Sequence, residues 1–267
     1  MARLRLTILG CGSSGGVPRI GGHWGACDPA NPKNARRRSS LLIRRLAEGA
    51  EGETRVLIDT TPDMRAQLLD AGVGELDGVV YTHAHADHTH GIDDLRMVVL
   101  NIGRRLDVWA DPPTQEALLD RFGYAFVQPE GSPYPPILNL HTITGPVEIT
   151  GAGGTVTLTP IPVDHGVMPA LGFRIGRLAY IPDAVAIPES SWPLLEGLEV
   201  LIVDALRRKP HPTHAHLDLA LEWIARARPA RAVLTNMHID LDYATVDAET
   251  PRHVTPAFDG MEITVEE

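Results

Sequence analysis

Apolar residues recur along this chain at two spacings, and the switching between them outlines an architecture. Alternation and short apolar runs predict strands over 4–9, 40–45, 54–59, 78–82, 106–110, 137–143, 154–163, 171–175, 178–181, 198–203 and 231–235. Gly- and Pro-rich punctuation separates them. Helical periodicity predicts helices over 62–71, 92–102, 114–122 and 217–227. In the last of these, Leu217, Ala220, Leu221 and Ile224 follow i, i+3, i+4, i+7 and form one buried stripe. The first half interleaves strands with helices, whereas 137–181 is strand after strand. That mixture predicts an α+β protein: two sheets packed face to face with helices on the outer faces. No linker, low-complexity tract or internal repeat divides the chain, so a single domain over 1–267 is expected.

Composition narrows the classes open to such a protein. The chain has 43% apolar and 22% charged residues, ordinary for a globular protein. No apolar run approaches the ~20 residues of a membrane span. The N-terminus breaks its apolar residues with Arg3 and Arg5, as an amphipathic strand does and a signal peptide does not. Only Cys11 and Cys27 are present, so no disulfide framework is implied and a reducing cytoplasm is the expected location. A net charge of −10 speaks against nucleic acid or anionic lipid as a partner and predicts weak RNA affinity. Homodimerisation stays open. The basic residues are 22 Arg and 2 Lys, a bias that base composition explains. Arg36-Arg37-Arg38 is the one local cluster.

Residues 10–35 have almost no periodicity and follow the first strand, where binding loops tend to lie. No Gly-Lys-Ser/Thr closes this glycine-rich segment into a phosphate loop. It is expected to wall a cleft. Cys11, His23 and Cys27 match no compact zinc spacing, so a second metal site there is not expected.

The chemistry is concentrated in Thr82-His83-Ala84-His85-Ala86-Asp87-His88-Thr89-His90, directly after the apolar run Val79-Val80-Tyr81. Imidazole and carboxylate ligands suit Zn, Mn or Fe. Alternate residues leaving a strand point the same way, so His83 and His85 can hold one metal while Asp87 and His88 turn toward a second. Two metals need further ligands in loops after strands. His165, Asp183, His214 and His238 occupy such places.

The pattern His83-x-His85-x-Asp87-His88, followed in order by His165, Asp183 and His238, resembles the metallo-β-lactamase superfamily. The opening Leu-Gly-Cys-Gly-Ser-Ser-Gly-Gly-Val-Pro and a strand ending in Asp59 extend the likeness over nearly the whole chain. The resemblance implies a four-layer αββα sandwich of two mixed sheets, with two divalent metal ions at one edge. By it, His83, His85 and His165 bind the first metal, Asp87, His88 and His238 the second, and Asp183 bridges both. Asp59 would orient a ligand from behind. His214, six positions before Ala220, and the run His238-x-x-x-Asp242 are similar to the branch that contains ribonuclease Z and the phosphoribosyl 1,2-cyclic phosphate phosphodiesterase. The length and the Gly-Ser-Ser-Gly-Gly-Val-Pro opening favour the latter.

These residues permit hydrolysis by a hydroxide bridging two cations, which also stabilise charge on phosphoryl oxygens. Asp87 and His214 are the catalytic candidates. His214 could bind phosphate or protonate the leaving oxygen at the start of the helix over 217–227, and His216 could serve instead. Arg207, Arg38 and Arg19 are candidate phosphate contacts, because guanidinium forks match phosphate oxygens. His211 and His90 are expected to be supporting or exposed. No Gly-x-Ser-x-Gly nucleophile elbow is present. The leading expectation is a phosphodiesterase acting on a small phosphorylated, cyclic or simple, diester. Other readings are a lactonase, thioesterase or RNA-processing nuclease on the same fold, or a cofactor-biosynthesis or redox metalloprotein.

Overall fold

Alternating apolar positions close two sheets onto a common seam. The computed structural model describes residues 3–266. One sheet comprises β1 (Arg3–Gly10), β2 (Ser40–Leu46), β3 (Thr54–Ile58), β4 (Gly78–Val80), β5 (Leu106–Ala110), β6 (Leu138–Thr142) and β14 (Met261–Glu266), in the order β14-β1-β2-β3-β4-β5-β6. The other comprises β7 (Val147–Gly151), β8 (Gly154–His165), β9 (Met168–Ile175), β10 (Leu178–Ile181), β11 (Val200–Asp204), β12 (Arg231–Thr235) and β13 (Val254–Pro256), in the order β13-β12-β11-β10-β9-β8-β7. Each sheet is mixed. Pairing is antiparallel from β14 through β3 and from β7 through β10, then parallel from β3 through β6 and from β10 through β13. The two halves of the chain thus share one plan that the residues themselves do not repeat.

The seam is filled by the inward residues of both sheets, among them Leu4, Leu6, Ile8, Ile43 and Val56 facing Val156, Leu158, Phe173 and Ile202. The outer face of the first sheet carries Leu42, Leu57, Val79, Tyr81 and Val108. Against it pack α1 (Met64–Asp70), α3 (Leu95–Ile102) and α4 (Pro112–Phe122) through Met64, Leu68, Leu95, Val98 and Leu118. On the second sheet, α5 (Leu217–Ala227) covers β11 and α6 (Tyr243–Glu249) covers β13; a short α2 (Ala86–Thr89) carries part of the His motif. This is the αββα sandwich that the sequence implied. Strands β10 and β11 are buried along their whole length because sheet lies on one side and helix on the other, which explains their unbroken apolar runs.

Every strand and helix expected from periodicity is present, with ends shifted by a few residues. The segment over 92–102 splits into a 3₁₀ turn, Ile92–Asp94, and α3. The stripe of α5 is Leu217, Ala220, Trp223 and Ile224, with Leu221 only at its margin. Elements not expected are β7, β13, β14, α2 and α6. Among the described residues, no helix is long and apolar enough to cross a membrane.

Phe173 on β9 is wholly buried at the centre of the seam. Phe173→Ala should cost about 3–5 kcal/mol, lost transfer energy plus a cavity. The midpoint of urea denaturation measures it, and an unshifted midpoint would place the core elsewhere.

The parallel strands all end at one edge, where α/β proteins place their ligands. Asp59 follows β3, the His motif follows β4, Asp183 follows β10, Asp204 ends β11, and Asn236 and His238 follow β12.

Candidate metal centre

Four side chains converge at that edge. The ligand atoms of His83, His85, His165 and Asp183 all lie within 4.8 Å of one another. His85 Nδ1 is 2.9 Å from His83 Nε2 and 3.1 Å from His165 Nε2. Asp183 faces two groups with its two oxygens. Its Oδ2 lies 3.6 Å from His83 Nε2 and 3.7 Å from His165 Nε2, and its Oδ1 lies 3.5 Å from His88 Nε2. Asp87 Oδ2 is 3.6 Å from the same His88 nitrogen. His85 caps α2, so the helix start turns Asp87 and His88 away from His83 and His85.

The far side of each ring fixes which nitrogen faces inward. His88 Nδ1 donates to Asp59 Oδ2 at 2.7 Å. Thr82 donates its hydroxyl to the same Asp59 oxygen and is 2.9 Å from His83 Nδ1. His165 Nδ1 donates to the Thr213 carbonyl at 2.7 Å, and His238 Nδ1 to Asp240 Oδ1 at 2.6 Å. In His83, His88, His165 and His238, Nδ1 is therefore the protonated nitrogen and Nε2 presents a lone pair, as a metal-ligating imidazole requires, whereas His85 turns Nδ1 inward. His88 Nε2 is buried with no hydrogen-bond partner. Unpaired buried nitrogens are costly, and a cation between them and the carboxylates removes the cost. The donor set fits a divalent metal.

Electrostatics agree with the geometry. Burial lowers the pKa of His83 far below its ordinary value, with His88 adding to the effect. Burial also opposes charge on His88, but Asp183, Asp59 and Asp87 around it outweigh that and push its pKa well up. Burial works against ionisation of Asp183, yet His88 beside it holds the carboxyl well below the usual range. A proton on His88 stands where the surrounding carboxylates call for positive charge.

Asp59 and Asn236 both take left-handed backbone, at φ 65° and 59°. Such conformations cost energy in non-glycine residues and cluster where packing over-determines a site. Asp59 accepts from Thr82 N, Thr82 Oγ1 and His88. Asn236 Nδ2 reaches Asp183 at 3.2 Å and Asp204 at 3.3 Å.

Above the buried ligands lies a cleft of about 320 Å³ lined by His85, Asp87, Asp183, His214 and His238, with Ser13, Ser14, Arg19, Arg207, His211 and Asn236 around them. His214 Nδ1 bonds Asp204 Oδ2 at 2.9 Å and is 3.9 Å from Asp183 Oδ2. Burial disfavours its charge, but the Asp204 bond and field outweigh it, and the pKa of His214 rises to about 9. His214 is thus held by a carboxylate rather than by the start of α5, whose N-cap is His216. His216 is half-buried and does not line the cleft.

The arginine cluster is absorbed by structure. Arg36 is buried and bonds the carbonyls of His238 and Leu241, Arg37 pairs with Asp70, and Arg38 pairs with Asp63 at 3.0 Å. Arg38 therefore does not reach the cleft, which corrects its place among the phosphate contacts. Arg207 and Arg19 do line it, and Arg19 lies against His238 Nε2. The 10–35 loop supplies a wall through Ser13, Ser14 and Arg19. Its Cys11 meets Asp259, its Cys27 meets the Leu241 carbonyl, and its His23 is exposed, so the three have different surroundings. His90 is exposed and edge-on to Phe122. Asp204, Asn236 and Asp240 were missed from the sequence. Asp204 had a signal: Leu201-Ile202-Val203-Asp204 repeats the apolar-run-then-Asp pattern of Val56-Leu57-Ile58-Asp59.

Known proteins place this geometry. Residues 54–239 match the beta-lactamase superfamily domain. The crystal structure of a diphosphatase from the PhnP family superposes with a TM-score of 0.86 at 34% identity, covering 99% of this chain and 98% of that one. Zn(2+)-bound PqqB from Methylobacterium extorquens shares the fold, with a TM-score of 0.69 at 20% identity over 97% and 99% of the two chains. An octanoyltransferase of Porphyromonas gingivalis is 33% identical over 99% of this chain, which spans only 52% of that protein's length. The chain is a hydrolase-fold protein of the metallo-β-lactamase type, and it belongs to the β-lactamase superfamily and, within it, to the PhnP family.

Proposed function

We propose that this chain is a metal-dependent hydrolase that cleaves a P–O bond in a small phosphodiester. The observation that carries the reading is the set of inward-facing lone pairs on His83, His85, His165 and His88 around the two oxygens of Asp183. His83 Nε2, His85 Nδ1, His165 Nε2 and Asp183 Oδ2 would hold one divalent ion, Zn2+ or Mn2+ before Fe. Asp87, His88 Nε2, Asp183 Oδ1 and His238 would hold a second, with Arg19 moving off His238. Such ions make water nucleophilic near neutral pH and neutralise charge on phosphoryl oxygens.

The chain's own groups do the rest. The cleft is small and its rim is rich in donors, which suits a small phosphorylated molecule rather than a polymer. Asp204 holds the His214 ring so that Nε2 is the nitrogen left to act. The oxygen of water bonds to phosphorus, the bond to the leaving oxygen breaks, and that oxygen takes the His214 proton, which water later replaces. The diphosphatase likeness supports phosphoryl chemistry, and zinc in PqqB supports the choice of metal.

Turnover of bis(p-nitrophenyl) phosphate should be abolished by a chelator and restored by Zn2+ or Mn2+, and should exceed turnover of a lactone or a thioester. Faster lactone or thioester hydrolysis by the same metal-loaded protein would overturn the reading. A transfer RNA cleaved in preference to the small diester at physiological salt would do so as well.

A further inference from the structure

The opening motif Gly10-Cys11-Gly12-Ser13-Ser14-Gly15-Gly16 threads between two segments, and its glycines make the fit possible. A Cβ on Gly10 would collide with the Arg38 carbonyl oxygen, and one on Gly12 would fall 2.9 Å from the Arg36 Cβ. On that flank Gly12 N donates to the Arg37 carbonyl at 2.7 Å. On the other flank the motif runs parallel to the segment that carries His238. Met237 N donates to the Cys11 carbonyl at 2.8 Å and Ser13 N to the Met237 carbonyl at 3.4 Å, so that Gly12 pairs with Met237. Side chains alternate along extended chains, and paired residues point the same way. Ser13 and His238, one step further along each segment, therefore project together, and both line the cleft.

The backbone of Ser13 is fully committed. Its N–H meets Met237, and its carbonyl accepts from Gly16 N at 2.8 Å, which closes the turn. Its hydroxyl is not committed. Ser13 is only 5% exposed, yet Oγ forms no bond among the described residues. A hydroxyl buried to that degree is nearly always paired, because leaving it unmatched is costly. The residue opens only onto the cleft, so the matching group is one that enters the cleft. No base bonds Oγ, which makes the hydroxyl a donor rather than a nucleophile. Ser14 and Arg19 beside it are exposed and have water to satisfy them.

We propose that Ser13 Oγ–H donates to a non-bridging phosphoryl oxygen of the bound substrate, on the His238 side of the reacting phosphorus. The inference rests on the phosphodiester reading above and adds the residue that orients the diester. His214 stands on the other flank, its ring 4.7 Å from that of His165, and serves the leaving oxygen. Two donors on opposite flanks hold two different oxygens and so fix which face of phosphorus meets the attacking water. The Ser13 hydrogen stays on Oγ throughout, and no bond of Ser13 is made or broken.

The test uses methyl p-nitrophenyl phosphate and the two enantiomers of its phosphorothioate on the metal-loaded enzyme. Ser13→Ala should keep the wild-type metal content and lose about ten- to a hundredfold in kcat/KM on the oxygen diester, the usual effect of a hydrogen bond to a charged acceptor. Ser13→Thr, which keeps the hydroxyl, should recover most of that loss. Sulfur accepts hydrogen bonds poorly, so the enantiomer that sets sulfur against Ser13 has lost the bond already. For that enantiomer Ser13→Ala should leave kcat/KM nearly unchanged, whereas for the other the loss should match that on the oxygen diester. An equal loss on all three esters would assign the hydroxyl to the fold or to the water, and would sink the inference. Unchanged kcat/KM in Ser13→Ala, or a loss of metal from it, would do the same and leave the phosphodiester reading standing. If the wild type hydrolyses none of the three esters, that reading fails and takes this inference with it.

Discussion

Asp183→Asn should empty the centre of metal and reduce kcat/KM by at least about a thousandfold. The substitution is nearly isosteric, so the fold should persist while the charge disappears. Among the described residues, Asp183 is the one carboxylate that faces both groups of imidazoles, Oδ2 toward His83 and His165 and Oδ1 toward His88. It is also the group that most strongly raises the pKa of His88 against burial. Without it the buried nitrogens have no shared anion, and a cation there would be held largely by neutral rings. Loss of the metals removes several kcal/mol of transition-state stabilisation, and each 1.4 kcal/mol is tenfold in rate. Metal content per chain by mass spectrometry and kcat/KM on one diester measure both effects. The thermal midpoint gives an independent readout: added Zn2+ should raise it in the wild type through mass action and leave the variant unmoved. A variant that retains the wild-type metal content would show that Asp183 does not join the two groups.

Much of this centre was legible before any fold was known, and the reason is local. His83, His85, Asp87 and His88 lie within six positions after an apolar run, so strand geometry and a short helix start suffice to aim them. His165, Asp183 and His238 were legible because each follows an apolar strand, and strand ends converge at one edge of a layered α/β protein. Arg38 was misplaced because charge alone does not say which carboxylate a guanidinium meets. Asp63 lies 25 positions away in sequence but 3.0 Å away in space. Asp204 was missed because its role depends on a loop folding back to bring His214 against it. In the fold, β14 was overlooked although Met261, Ile263 and Val265 alternate cleanly with exposed residues. The strand pairs with β1 across almost the whole chain, a contact that no window along the sequence contains.

His214→Ala should keep its metals and lose turnover by about 10²–10⁴, the usual worth of a placed proton donor. The metal-facing atoms of the other histidines do not depend on His214, whose Nδ1 is committed to Asp204. Its proton is available because the Asp204 bond outweighs burial and lifts the pKa to about 9. The sign of the pH dependence follows. A general acid works below its pKa, so kcat should decline as pH rises through that value, and the decline should vanish in the alanine variant. Cations that neutralise Asp183 and Asp87 remove part of the field that raises the pKa, which sets about 9 as the upper bound for this limb. Leaving groups separate the two roles that a cationic imidazole can fill. A p-nitrophenolate departs without help, so the deficit should be small for a p-nitrophenyl ester and large for an alkyl ester if His214 donates a proton. An equal deficit for both would assign His214 to binding phosphoryl oxygens instead. Asp204→Asn supplies the cross-check: it keeps a side chain against His214 Nδ1 but removes the charge, so the basic limb should move to lower pH while metal content stays constant. A limb that does not move would mean that the proton being titrated is not the one on His214.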